Sequence, residues 1–451
     1  MSQYDRLEKS RRKHEPSNSG ASRAAPPPPK QRPEWKGPGF SAKKAGKSNT
    51  PRIPAQAAAP NIQPQLLPLE LQQLVLNIFR TTFPISQGPD ELKPILQNIK
   101  DALFRRDFDL AFGNEEQCEA YAVRWSPSRV LGYSNLLAWV VEECKDESWI
   151  KRLLCDSSGS RDDLAPLNVL CIGGGAAEVA SFNSLVRHLQ PKSRGKPAEE
   201  LEQNMKQLGI QTAEDEEAIL KIHLIDSAPW SSVISKLQSG LTSPPTLSKY
   251  ASASARASNT SFIKPGATEV TFTQADILSF NKEQLENIIG EGPTMVTMFF
   301  TLNELYTTSM ARTTKLLMEL SLASKEGTLL CVIDSAGSYS EVAVRKPNDT
   351  LGSSPATSEQ ETTPNFTSEN SSSTSSKPSP KTVTFAEDEA SKKYPMHWLM
   401  DRTLLGKGGG KLALWEKLVV DESRWFRLDE SLKYPISLEN MRFQVHLFKR
   451  V

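Results

Sequence analysis

Apolar positions first fall into a regular rhythm near Leu66, where Leu71, Leu74, Val75, Ile78 and Phe79 recur at helical spacing. Leu92, Ile95, Ile99, Leu103 and Phe104 repeat it after the Gly88-Pro89 break. Two amphipathic helices are expected there. The stretch Glu119 to Val130, EAYAVRWSPSRV, then runs aromatic and basic residues into Ser126-Pro127-Ser128, a cap for a third helix over Arg129 to Glu143. Between Leu167 and Ile333 short apolar runs alternate with helical patterns, as they do where a parallel sheet is joined by crossover helices. Strands are expected at 168–172, 221–225, 269–273, 294–300 and 327–333, with helices at about 176–189, 229–238, 281–289 and 307–323. After Tyr394 comes a helical HWLMDRTLL run, then the apolar stretches Leu412 to Val420 and Trp425 to Leu428. Alternation over Met441 to Val451 closes the chain as a strand.

The segments without this rhythm set the organisation. Residues 1–65 are rich in Pro, Ala, Lys and Arg and cannot bury enough apolar surface to offset ordering entropy, so a disordered basic tail is expected. A helical extension over 66–160 and an α/β domain over 161–451 follow. The domain carries polar inserts at 191–217 and 240–266 and a disordered Ser/Thr-rich insert at 343–392, where residues 346–380 hold 16 Ser or Thr and 5 Pro. The 54 basic and 53 acidic residues nearly cancel, yet residues 1–52 carry 13 Lys or Arg against 4 Asp or Glu. Such a tail attracts polyanions by releasing their counterions. The scattered cysteines Cys118, Cys144, Cys155, Cys171 and Cys331 suggest neither zinc nor a disulfide framework and fit a reducing compartment. No signal-like or membrane-length apolar run is present, so an intracellular protein is expected, in the nucleus or nucleolus or in the cytoplasm; the KSRRK run from Lys9 to Lys13 permits nuclear import.

Candidate chemistry begins at Asn168-Val-Leu-Cys-Ile-Gly-Gly-Gly-Ala-Ala-Glu178-Val. A buried strand runs into three glycines, Gly173, Gly174 and Gly175, and then a helix, so backbone amides can approach a ligand closely. Acids follow the next two strands: Asp226 in LIDSAPW, suited to ribose hydroxyls, and Asp276 with Ile277 in TQADILSF, suited to an adenine edge. In an open parallel sheet these three loops converge at the carboxyl ends of the strands, and together they describe a Rossmann-like nucleoside site. Either Asp also serves as a plain helix cap. A dinucleotide fingerprint would place glycine at 178, where Glu178 opposes a pyrophosphate; the sulfonium of S-adenosylmethionine tolerates acids. That balance favours a methyl donor.

Past the fourth strand, Phe299 to Tyr306 (FFTLNELY) occupies the substrate side. Asn303 is a candidate for hydrogen bonding a base edge, Glu304 for accepting a proton, and Phe300 or Tyr306 for stacking, although the phenylalanines also suit a sheet core. In the extension, Tyr121, Arg124, Trp125, Arg129 and Tyr133 form an aromatic and basic cluster; Arg124, Trp125 and Arg129 are candidate RNA contacts, with Trp125 equally suited to packing. The five histidines show no ligand spacing, His223 reads as core, and no metal site or serine-hydrolase elbow is indicated.

These residues resemble a known family, the fungal methyltransferases of large-subunit (25S) ribosomal RNA that modify uridine at ring nitrogen three. The resemblance rests on LELQQLVLNIFRTTF, FRRDFDLAFGNEEQCEAYAVRWSPSRVLGY, CIGGGAAEV, LIDSAPW, FFTLNELY and RFQVHLFKR, and spans residues 66–451 apart from the inserts. It implies a class I S-adenosylmethionine-dependent methyltransferase fold and transfer of methyl to uridine N3, with ribosomal RNA or a pre-ribosome as partner and no membrane. Cys171 departs from the broader methyltransferase pattern, which commonly has an acid two positions before the first glycine. A methyltransferase of protein or small molecules and a ribosome-assembly scaffold are the competing readings. The oligomeric state and target nucleotide are not encoded in any motif.

Overall fold

A computed structural model describes residues 61–84, 89–157, 165–190, 218–257, 259–337, 341–344, 392–406 and 413–451, with side chains left undescribed at a few ends of these segments. Most of the basic tail, the 191–217 insert and nearly all of the Ser/Thr-rich insert therefore lie outside the described residues.

The described chain opens with a short strand β1 (Asn61–Ile62) and a run of helices: α1 (Leu69–Thr82), α2 (Pro89–Arg105), α3 (Phe108–Phe112), α4 (Glu115–Arg124), α5 (Ser126–Glu143) and α6 (Ser148–Ser157). Helix α1 buries Leu71, Val75, Ile78 and Phe79, the stripe its spacing predicts, while Leu74 is exposed. Phe104 also leaves the expected apolar face, at 90% exposure. Helix α5 starts three residues earlier than expected, at Ser126 rather than at Arg129, with Pro127 in its first turn, where a missing N–H costs nothing. Ser128 is therefore within the helix, and its hydroxyl accepts from the Glu439 N–H at 3.0 Å. Fourteen of the 18 residues of α5 are buried, so it is a core helix and its apolar pattern has little sidedness. Gly132 lets it approach the sheet: a Cβ there would fall 2.1 Å from Met441 Cε.

The α/β part follows as β2 (Leu167–Ile172), α7 (Ala176–Leu189), β3 (Leu220–Asp226), α8 (Ser231–Thr242), α9 (Ala253–Ala257), β4 (Thr268–Gln274), α10 (Lys282–Ile289), β5 (Thr294–Phe299), α11 (Leu302–Thr308), α12 (Met310–Ala323) and β6 (Leu329–Ser335). It ends with β7 (Glu341–Val344), β8 (Lys392–Pro395), α13 (Met396–Leu404), β9 (Trp415–Phe426) and β10 (Met441–Arg450). The main sheet has the order β1-β9-β10-β6-β5-β2-β3-β4. Strands β2 to β6 pair in parallel, and β10 runs antiparallel between β6 and β9. The expected α/β fold is thus present, and all five strands of the parallel core lie where the apolar runs place them.

Several boundaries differ. The expected helix 307–323 is two helices, because Ser309 adopts extended backbone and its side chain caps α12 through the Arg312 N–H. The two apolar stretches after residue 412 form one twelve-residue strand, β9, held as a unit by pairing with β10. Residues 341–344 and 392–395 pair antiparallel, so both edges of the Ser/Thr-rich insert belong to a small ribbon. Within the 240–266 insert, Ile263 is buried and its N–H donates to Leu241 O at 3.0 Å. His223 is half-buried rather than core, its ring nitrogens beside the hydroxyls of Thr271 and Thr273.

The largest departure is at the start. Residues 61–65 fall within the expected disordered tail, yet β1 adds to the edge of β9 in parallel and Gln63 is 1% exposed. Polar groups make this anchor. Gln63 Nε2 donates to Asn135 O at 3.2 Å, and Arg424 Nη1 donates to Gln63 Oε1 at 2.8 Å. Arg424 is itself buried, with Nε 2.9 Å from Asp421 Oδ2 and its guanidinium 3.8 Å from the Trp139 ring centroid. Removing one member of a buried ion pair strands the other charge, at about 3–5 kcal/mol. Arg424→Ala should therefore lower unfolding free energy by about 3 kcal/mol or more, and Gln63→Ala by about 1–2 kcal/mol; urea titration of the two variants checks both.

Candidate functional site

The strand order reverses between β2 and β5, and at that reversal the loops leaving the carboxyl ends of β2, β3, β5 and β6 face one another. The glycine turn follows β2. Gly173 has φ +71°, and a Cβ there would sit 2.2 Å from Thr301 Oγ1, in the loop after β5. A Cβ on Gly174 would meet Cys171 Cβ at 2.6 Å, and one on Gly175 would lie 3.2 Å from the Trp230 indole. The glycines are thus required by close packing within the protein, and that packing brings the turn flush against its neighbours. Glu178, in the first turn of α7, accepts from the Gly175 N–H at 2.8 Å; burial pushes its carboxyl up to about 7, against the field of Arg129.

Asp226 at the end of β3 accepts from the Ala228 N–H at 2.8 Å, and burial raises it to about 6. Asp276 plays the capping part: Oδ1 accepts from the Leu278 N–H at 2.9 Å and Oδ2 from Arg312 Nη2 at 2.6 Å. Ile277 is buried in the core beneath that turn. The first, second and third of the predicted loops do share the carboxyl edge, but the Ile277 side chain faces the interior.

Directly after β5 comes Phe300, whose φ of 58° is a strained value for an aromatic residue. Its N–H donates to Ile333 O at 2.7 Å, and its ring stacks on Tyr133 with centroids 6.3 Å apart. Helix α11 then carries Asn303, 3% exposed, and Glu304. Glu304 Oε2 lies 3.1 Å from Arg106 Nη1; burial raises its carboxyl, while Arg106 and Asn303 pull it back. Arg106, also at positive φ, donates to Thr307 Oγ1 at 2.5 Å, so the extension reaches across the sheet edge to α11. Tyr306 is buried in the core and is not available to stack, which corrects that expectation.

Asp334, at the carboxyl end of β6, did not emerge as a candidate from the sequence. Oδ2 accepts from the Asn303 N–H at 2.9 Å and Oδ1 from the Ser335 N–H at 2.8 Å, and burial pushes it up to about 6. An acid directly after the apolar run LLCVI was the signal that marked it. Arg106 had none, because its pairing with Glu304 joins positions 198 residues apart in sequence.

The extension supplies an aromatic wall. Tyr121 lies 5.0 Å from Trp125 and 5.9 Å from Trp230, centroid to centroid, and Arg129 sits 5.2 Å over the Tyr121 ring. Arg124 is drawn outward: it pairs with Glu439, donates to Ser437 O at 3.1 Å and lies 5.5 Å from the Trp125 ring centroid. Arg124, Trp125 and Arg129 are thus neighbours, although Arg129 turns inward. Tyr133 is 1% exposed, and its hydroxyl has no hydrogen-bond partner among the described residues.

This environment suits an adenosyl sulfonium. Glu178 and Asp334 are buried acids and Asp226 a half-buried one along one edge, so a positive ligand relieves the cost of ionising them, and the Tyr133 hydroxyl is a buried polar group with hydrogen-bonding capacity to spare. The same burial fixes a pH dependence. A carboxyl with a raised folded pKa holds more protons folded than unfolded, so stability falls as pH rises from about 4.5 to about 7. Glu178→Gln keeps an acceptor for the Gly175 N–H and removes that slope. The variant should gain on the parent by up to about 3 kcal/mol between pH 4.5 and 8, read from urea midpoints.

Residues 79–449 match the family described as "Putative SAM-dependent methyltransferase". A curated relative from Saccharomyces cerevisiae, 25S rRNA (uridine(2843)-N(3))-methyltransferase, is 29% identical over 389 residues, covering 83% of this chain and 85% of the relative. Among solved structures, an O-methyltransferase family protein from Burkholderia thailandensis is similar at 9% identity and TM-score 0.32, covering 82% of this chain and 75% of that one. The N-methyltransferase NodS from Bradyrhizobium japonicum WM9, in complex with S-adenosyl-L-homocysteine, is similar at 14% identity and TM-score 0.20, covering 43% and 66%. With 371 of its 451 residues inside the family match (449 − 79 + 1), the chain belongs to this family of methyltransferases, whose cofactor is S-adenosylmethionine.

Proposed function

We propose that this methyltransferase acts on ring nitrogen N3 of a uridine in large-subunit ribosomal RNA. The observation that carries the reading is the placement of Glu304: a half-buried carboxylate on the first turn of α11, beside buried Asn303, at the strand edge that also holds the glycine turn. The imide N3 of uracil carries a proton and is a poor nucleophile until that proton leaves. Glu304, raised by burial, is a stronger base than an exposed carboxylate, and Arg106 holds it in place and stabilises its charged form. Asn303 offers amide groups of both polarities, which suits the alternating edge of uracil, and Asp334 fixes its backbone.

Bound S-adenosylmethionine supplies a methyl group activated by its sulfonium. The chain's own contribution is position and charge. The turn Gly173 to Gly175 opens the α7 N-terminus, Asp226 has lone pairs for ribose hydroxyls, the loop at Asp276 and Ile277 flanks the adenine side, and Glu178 sets a negative field around the turn. Similarity to the yeast rRNA methyltransferase supports the RNA target, and with it a nucleolar or nuclear place of action. Arg124 over Trp125 forms a cationic and aromatic face on the extension that fits an unstacked nucleotide.

Expression in yeast cells that lack the 29% identical relative tests the assignment directly. The chain should restore N3-methyluridine in 25S rRNA, mapped by mass spectrometry, and Asp226→Ala should not. Glu304→Gln should keep S-adenosylhomocysteine affinity while slowing methylation at least about 100-fold. Restored growth without the modified base would instead favour a scaffold role.

A further inference from the structure

Arg129 is a half-buried cation on a helix whose other faces are almost all buried, and neither the fold nor the RNA reading uses it. Its guanidinium lies 5.2 Å from the Tyr121 ring centroid and 5.3 Å from that of Phe300, two rings delivered by different parts of the chain. Phe300 reaches this position through strained backbone, at φ 58°. No carboxylate of the described residues lies within ion-pairing distance of Arg129, although Glu178 is close enough for each to feel the other's field. A guanidinium that lies by two rings, with the Tyr121 hydroxyl as a hydrogen-bond partner and no carboxylate paired to it, keeps the rest of its planar fork of donors for an oxyanion.

The surroundings identify which one. Tyr121 leans on Trp230, Trp230 lies against Gly175, and Gly175 is bonded to Glu178, so Arg129 borders the glycine turn. Tyr133 follows Arg129 by one helical turn on α5 and therefore shares its face. Its buried hydroxyl, without a partner among the described residues, lies in the fields of Arg129, Glu178 and Asp334. At this edge the acids suit the sulfonium, the ammonium and the ribose of the donor, and its α-carboxylate is the one anionic group left to match.

We propose that Arg129, braced by Tyr121 and Phe300 and accompanied by the Tyr133 hydroxyl, recognises the α-carboxylate of the methyl donor. The proposal rests on the donor site being the glycine-turn edge described above. It makes the helical extension part of the cofactor site, and it gives Arg129 a ligand other than RNA.

Binding, read by calorimetry without RNA, tests this on the full chain. S-Adenosylhomocysteine carries the amino-acid group, and 5′-methylthioadenosine lacks it. Arg129→Met should weaken S-adenosylhomocysteine about 30-fold or more and leave methylthioadenosine within about twofold, and Arg129→Lys should fall between parent and Met. Asp226→Ala should weaken both ligands, because both carry the ribose. Equal weakening of both ligands by Arg129→Met, or of neither, overturns the proposal while leaving the donor site intact. If the parent binds neither ligand, the donor-site reading itself falls. Should Arg129→Met fail to fold, the parent protein decides: decarboxylated S-adenosylhomocysteine should bind about 30-fold more weakly than the intact ligand, and equal affinity overturns the proposal.

Discussion

The reversal of strand order between β2 and β5 is the constraint on which the rest depends. Chain leaving β2 crosses by α7 to β3 on one side, whereas β5 pairs on the other side of β2 and leads to β6. The two crossovers diverge, and the loops at the carboxyl ends are left facing each other. Here they do more than line a crevice. Thr301, in the loop after β5, rests on Gly173, in the loop after β2, so closely that no Cβ fits. Strain in one loop, at Phe300, and a left-handed glycine in the other are two sides of the same contact.

Burial then shapes the electrostatics. Glu178, Asp226 and Asp334 are each held by backbone N–H groups, yet desolvation outweighs those bonds and raises all three. A fold that keeps several carboxyls at a disadvantage is less stable than it need be near neutral pH. In a site for a cationic cofactor that cost is recovered when the ligand binds, because a positive charge stabilises the ionised acids. Glu304, paired with Arg106, adds a half-buried carboxylate at the same edge of the sheet.

The extension is bound into this arrangement. Helix α5 is buried nearly all round, crosses β10 at Gly132 and carries Arg129 and Tyr133 toward the glycine turn, while Arg106 reaches α11 from the other end of the same helical run. Gln63 and Arg424 tie its start to the far edge of the sheet. Helices that read as an appendage along the chain are structurally a wall of the site.

Period and punctuation determined much of this protein by themselves. The apolar runs after 167 specify parallel strands, and the glycine turn, the acids after β3 and β4 and the FFTLNELY segment all lie at the carboxyl ends of those strands, because each of these is a local rule with a span of a few residues. Asp334 carries a local mark of the same kind, as an acid near the end of the last parallel strand, but it was not among the sequence candidates. What local rules do not carry is pairing across distance. The anchoring of Asn61 to Gln63 is made by backbone pairing with β9 and polar bonds to Arg424, so no apolar pattern announced it. The loss of Tyr306 to the core, the break at Ser309, the hold of Arg106 on Glu304 and the inward turn of Arg129 between two rings were likewise decided only by tertiary structure. Each follows from which side chains meet when helix and sheet pack, and that is a property of the assembled chain rather than of any segment.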